Sequence, residues 1–194
     1  MNIEAMLGYV SNLPGSCSQE EWRLLYASAM EAVSGFSHGN VVEVGSYCGR
    51  VTTALGCAVR NAGRGKVYAI HPREAGLLGV PYPWTGKSRR RIFRHNLDIL
   101  KLNEWVTTIE RKPIEVAWTS PVCFLVIGRL IDMASLSEDF SHFFDRVEKG
   151  GYVAFHDYGN PNLPNVNSFV EDLLSQGKLS KVKTESHLIV TEKK

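Results

Sequence analysis

Apolar residues recur along this chain in two rhythms, a helical one and short unbroken runs, and the two alternate. Trp22, Leu24, Leu25, Ala29 and Met30 follow the polar stretch Ser18–Glu21 at helical spacing, which predicts a covering helix capped at Ser16 or Ser18. Val41–Val44 is a continuous apolar run broken only by Glu43 and ended by Gly45, the pattern of a buried parallel strand. A helix over Val51–Arg60, the turn Gly63–Gly65 and a strand over Lys66–Ile70 complete a right-handed βαβ unit. The stretch Gly76–Gly86 is too rich in glycine and proline for a regular element and reads as a surface loop carrying Tyr82 and Trp84. From Lys87 the chain turns helical, with Ile92, Phe93, Leu97, Leu100 and Leu102 on one side. Val106–Ile109 and Val122–Ile127 then predict the third and fourth strands. A helix around Leu136–Val147 is expected to stop at Lys149-Gly150-Gly151, followed by a fifth strand over Tyr152–Phe155. Val166–Leu174 is amphipathic and ends near Gly177, and Leu179–Val182 with Leu188–Thr191 reads as a hairpin. Strands alternating with helices and closed by an antiparallel pair predict an α/β fold, a Rossmann-like, doubly wound, mostly parallel seven-stranded sheet with a C-terminal antiparallel hairpin.

Composition narrows the class without naming an activity. The 194 residues suit one core, here divided into an N-terminal helical cover over 1–34 and an α/β domain over 35–194. A hydrophobic fraction of 44%, a charged fraction of 22% and a net charge of +2 fit an ordinary globular protein and argue against a nucleic-acid partner. Cys17, Cys48, Cys57 and Cys123 form no CxxC pair and have no His at finger-like spacing, so they read as buried free thiols rather than a zinc or disulfide framework. With neither a leader pattern nor an apolar run of about 20 residues, the expectation is a cytoplasmic protein without a membrane partner.

The most informative stretch is Glu43-Val44-Gly45-Ser46-Tyr47-Cys48-Gly49, set between a strand and a helix. Gly45 permits positive φ, and Gly49 lets the helix begin close to the strand and to a ligand, which would meet free N–H donors. The turn is GxxxG rather than the dinucleotide pattern, which disfavours a nicotinamide cofactor. VVEVGSYCGR resembles the first motif of the class I methyltransferases that use S-adenosylmethionine (SAM), and the resemblance extends over about residues 35–194 through KVYAI, HNLDILKLNEWVTTIE and VEKGGYVAFHDY. Within that superfamily the chain looks most like small methyltransferases whose fifth strand ends in FHDY. The resemblance implies the class I methyltransferase fold, SAM as cofactor, and Glu43 with Gly45, Ser46, Tyr47 and Gly49 beside its methionine portion.

Three positions depart from the family pattern. The acidic residue that normally grips the ribose is replaced by His71, which offers one acceptor and one donor in place of two acceptor oxygens. That exchange is expected to weaken binding by roughly 10- to 150-fold without abolishing it, unless His71 is merely exposed at a strand end. After the third strand the chain reads Glu110-Arg111-Lys112-Pro113 where the family carries an acidic residue near adenine. After the fourth strand Gly128 and Arg129 stand where relatives place a carboxylate; Arg129 is assigned to the cofactor side, and Asp132 either supplies the carboxylate from a few residues on or, the favoured reading, opens the next helix.

Two groups of residues are candidates for the chemistry. His156 and Asp157 end the fifth strand, where open α/β sheets bind ligands, with His156 the candidate base and Asp157 its orienting partner. The alternative is that Asp157 caps the following loop over a packed His156. One carboxylate and one imidazole make a poor magnesium site, so no metal is expected. Lys87, Arg89, Arg90, Arg91 and Arg94 form a basic run that is either a solvated face or a grip on an anionic substrate, with Arg89 and Arg90 as ligands and Tyr82 and Trp84 stacking above. The expected activity is SAM-dependent O- or N-methylation of a small acceptor, by a protein that could form homo-oligomers. The alternative is a catalytically degenerate relative retained as a binding or interaction module.

Overall fold

The computed structural model describes residues 3–71, 86–128 and 133–194. Its elements run α1 (Ile3–Val10), α2 (Gln19–Gly35), β1 (Asn40–Val44), α3 (Arg50–Ala62), β2 (Lys66–Ile70), α4 (Gly86–Ile99), β3 (Val106–Ile109), β4 (Val122–Ile127), α5 (Met133–Phe144), β5 (Val147–His156), α6 (Pro164–Ser175), β6 (Leu179–Glu185) and β7 (Leu188–Lys193). The strands form one sheet in the order β3-β2-β1-β4-β5-β7-β6, parallel from β3 through β5, with β7 antiparallel to both neighbours. This is the expected doubly wound architecture. The chain reverses its direction of travel across the sheet between β1 and β4, and ligand crevices of such sheets open at that reversal, beyond the carboxyl ends of the strands.

Burial follows the period-two rhythm of strands covered on both faces. Val41, Phe124 and Val126 face one core with α1, α2 and α3, whereas Val42, Val44, Leu125 and Ile127 face a second core with α5 and α6. Met6, Leu7 and Val10 of α1, and Trp22, Leu25 and Ala29 of α2, belong to the first of these cores. The helical cover therefore shares its apolar interior with the sheet.

The boundary between α5 and β5 differs from expectation. The helix before β5 ends at Phe144, and Val147 already pairs with Val122 in the sheet. Lys149-Gly150-Gly151 lies inside β5, where the register slips between Val122 and Phe124. A Cβ at Gly151 would meet the Glu148 carbonyl at 2.8 Å, so the glycine pair serves a bulge and not a helix stop. The loop at 76–85, with Tyr82 and Trp84, and the residues Arg129 and Asp132 lie outside the described residues.

Candidate functional site

The bend after β1 is a left-handed turn held in place from several sides. Gly45 and Gly49 have φ of 96° and 88°, and Tyr47 between them has φ of 47°. A Cβ at Gly49 would stand 2.9 Å from Phe93 Cδ2, so glycine is demanded there both by the backbone and by the packing of α4. The amides of these glycines are engaged inside the protein: Gly45 donates to the Ile70 carbonyl (2.9 Å) and Gly49 to that of Ser46 (2.7 Å). The expected donors to a ligand are therefore not the amides of Gly45 and Gly49, because these two groups close the turn itself.

Glu43, one residue before the end of β1, is completely buried. Its Oε2 accepts a 2.6 Å hydrogen bond from the Thr52 hydroxyl on α3. Among the described residues, neither its Oε1 nor the buried Ser46 Oγ has a hydrogen-bond partner. Burial pushes the Glu43 carboxyl up to about 7, against the pull of the Thr52 hydroxyl bonded to it and of the Ser46 hydroxyl, which stands near without closing a hydrogen bond. A buried carboxylate with one orphaned oxygen beside an orphaned hydroxyl is costly unless something completes it.

The N-terminal cover fastens this bend. Arg50, which opens α3, donates from Nη1 to the carbonyls of Leu13 and Gly15 (3.2 Å each). Asn96 of α4 donates to the Cys48 carbonyl (2.8 Å) and accepts from the Tyr9 hydroxyl (2.9 Å). Trp22 Nε1 reaches Thr53 Oγ1 at 3.0 Å. Sequence reasoning assigned none of Tyr9, Asn96 and Arg50 to the site, since their relevance depends on which loop they meet after folding.

His71 follows β2; its amide donates to the Ile109 carbonyl (3.0 Å), and its ring lies 5.4 Å from that of Phe93. It thus stands at the carboxyl edge of the sheet, near the residue that abuts Gly49. The basic run divides: the Arg89 guanidinium lies 5.9 Å from the centre of the Tyr47 ring, while Arg90 and Arg94 approach Glu110 at 3.3 and 3.9 Å. Arg91 is exposed. The carboxylate after β3 is therefore engaged with arginines of α4, and Arg89 is drawn to the glycine bend.

At the end of β5, His156 is buried while the Asp157 side chain is 21% exposed. The imidazole lies between two carboxylates, with Nε2 3.4 Å from Glu21 Oε2 and Nδ1 3.5 Å from Asp157 Oδ2. Burial alone would lower the His156 pKa, but its polar contacts with Asp157, Cys17 and Glu21 raise it to about 11. Asp157 has φ of 65° and accepts from Asn160 Nδ2 (3.2 Å). Glu21 is the N3 residue of a capping box: its Oε2 accepts from the Ser18 amide (2.7 Å) while the Ser18 hydroxyl accepts from the Glu21 amide (3.1 Å). The spacing Ser18-x-x-Glu21 signals that cap, and nothing in it signals the approach to His156. All four cysteines are free and buried, as expected.

Comparison with known proteins adds to this geometry. A family model described as a methyltransferase domain matches residues 42–158, more than half of the 194-residue chain. Among solved structures, the O-methyltransferase NovP is similar at 14% identity with a TM-score of 0.71, covering 98% of this chain and 96% of that one. The O-methyltransferase TomG from Streptomyces achromogenes, solved in complex with SAM, is similar at 13% identity and a TM-score of 0.67, covering 100% and 90%. An rRNA methylase from Streptococcus thermophilus shares 16% identity at a TM-score of 0.60, covering 88% and 94%.

Proposed function

Because this chain belongs to the methyltransferase domain family of the class I superfamily, we propose that it binds SAM over the bend after β1 and methylates an oxygen or nitrogen of a small molecule. The observation that carries this reading is the pair of orphaned polar atoms, Glu43 Oε1 and Ser46 Oγ, at the carboxyl end of β1. The positively charged methionine portion of SAM supplies the partner that a buried carboxylate lacks. Gly45, Tyr47 and Gly49 shape the bend beneath it, and His71 takes the ribose side with one acceptor and one donor. Arg129 is assigned to the same side on resemblance alone. The structure of TomG with SAM supports this choice of cofactor.

SAM, when bound, supplies a methyl group already activated for transfer on a sulfonium, so the protein's share is positioning the acceptor and handling its proton. Asp157 is the more exposed member of the pair at the end of β5, and contact with the acceptor falls to it. His156, enclosed between Glu21 and Asp157, positions that carboxylate; as a base it would first have to give up a proton that two neighbouring carboxylates hold. Arg89 and Arg90, with Tyr82 and Trp84 assigned from the sequence alone, are our candidates for the acceptor side and favour an anionic group. The relationship to NovP and TomG supports an oxygen acceptor and a small molecule.

A second reading, a catalytically silent binding module, is favoured by one observation: the Gly45 and Gly49 amides close their own turn. Titration calorimetry of the whole chain with SAM and its demethylated product separates the two. Heat of binding that is lost in Glu43→Gln supports the enzyme, whereas no heat and no thermal shift at millimolar cofactor supports the module. Radiolabelled methyl transfer to candidate phenols and amines, with ribosomal RNA as the competing class, then identifies the acceptor.

A further inference from the structure

Cys17, Glu21 and His156 are buried to within 5% of complete enclosure. Each presents one ligand atom, and the sulfur, the carboxylate oxygen and the ring nitrogen all lie within 4.8 Å of one another. His156 Nε2 has no hydrogen-bond partner among the described residues, although it is aimed at Glu21 Oε2 from 3.4 Å. Cys17 Sγ donates to the Ser18 carbonyl at 3.5 Å. Three ligand atoms thus face one point, and the ring nitrogen among them lacks a hydrogen-bond partner among the described residues.

The surrounding groups orient these donors as outer partners orient metal ligands. Asp157 faces Nδ1, the far side of the imidazole (3.5 Å), giving a carboxylate–histidine arrangement with Nε2 turned inward. The Glu21 carboxylate is fixed by the Ser18 amide on Oε2 (2.7 Å) and by the His187 amide on Oε1 (2.8 Å), each oxygen keeping a lone pair. Magnesium and calcium prefer all-oxygen sets, while sulfur with nitrogen and oxygen suits zinc. Tetrahedral zinc places nitrogen and oxygen ligands roughly 3.3 Å apart, and the observed separation of 3.4 Å meets that requirement.

We propose that Cys17, Glu21 and His156 form a zinc site that pins the N-terminal cover to the end of β5. Binding displaces the Cys17 thiol proton and the His156 Nε2 proton to solvent, keeps the ring proton on Nδ1 toward Asp157, and leaves the fourth coordination place to water. The site ties the start of α2 to the sheet beside the segment that Arg50 grips at Leu13 and Gly15. The expectation of no metal considered only the side of His156 that faces Asp157; the fold brings Cys17 and Glu21 to the other side.

The test uses the whole chain, stripped of metal and titrated with zinc against a chromogenic chelator, and separately with cobalt as a spectroscopic probe. One zinc per chain, a raised Tm and a thiolate-to-cobalt charge-transfer band are expected. Cys17→Ser, checked for folding by circular dichroism, should lose the band and weaken zinc by at least about 10-fold, while Cys57→Ser, whose thiol lies in α3 away from the cluster, should keep both. Absence of stoichiometric uptake, or a cobalt spectrum without a thiolate band, overturns the proposal, as does a band that disappears with Cys57. These readouts follow the metal and not the methyl group, so a failure of SAM binding leaves them intact.

Discussion

Replacing Glu43 by Gln removes the one fully buried carboxyl of the glycine bend while keeping its shape and its acceptor for Thr52. In the folded protein burial raises this carboxyl from 4.5 to about 7. A tenfold change in proton affinity corresponds to about 1.4 kcal/mol, so the folded state holds the proton more tightly than the unfolded chain by about 3 kcal/mol. A raised folded-state value means that stability is fully present below about pH 4.5 and falls as pH rises, reaching its lower plateau above about 7. Glu43→Gln carries no ionisation. Relative to the parent it should therefore be favourable by about 1 kcal/mol at pH 5 and by about 3 kcal/mol at pH 8. Urea denaturation of both proteins at the two pH values measures this, and taking the difference cancels every other titrating group. A difference independent of pH, or a variant less stable than the parent at pH 8, would refute the account of Glu43 as a carboxyl destabilised by burial. The same substitution should weaken SAM, so the bend trades stability for a charge available to its ligand.

Other substitutions probe the frame around that charge. Gly49→Ala forces a side chain into φ of 88° and against Phe93 Cδ2 at 2.9 Å, and should cost about 2 kcal/mol or more of stability together with cofactor binding. Gly63→Ala, at φ of 65° with nothing within 4 Å of the added Cβ, should cost only the backbone part, about 1 kcal/mol; equal losses in thermal denaturation would show that Phe93 imposes no constraint. Asn96→Ala strips the Cys48 carbonyl and the Tyr9 hydroxyl of their shared partner and should cost about 1 to 3 kcal/mol. Hydrogen exchange should then quicken in residues 45–49; unchanged protection there would show that α1 and α4 do not hold the bend.

Much of the fold was legible because strands buried on both faces must be apolar throughout. The expected limits of β2, β3 and β4 coincide with the observed ones, Lys66–Ile70, Val106–Ile109 and Val122–Ile127. The start of β5 was misjudged because a glycine pair after a basic residue signals a helix stop and a strand bulge alike, and only the pairing of Val147 with Val122 separates them. Helix α1 went unseen since eight residues cannot sustain a helix in water; docking of Met6, Leu7 and Val10 into the core supplies what propensity lacks.

The order of strands and helices, the glycine bend and Glu43 before it were determined by the sequence alone, because each depends on neighbours a few residues apart. The company of His156 was not: Cys17 and Glu21 reach it from the far end of the chain, and their approach exists only once α2 has packed across the sheet. The same holds for Glu110, whose carboxylate meets Arg90 and Arg94 rather than open solvent. Local patterning specifies which elements form, whereas the charge state and ligands of a side chain depend on distances that only tertiary packing sets.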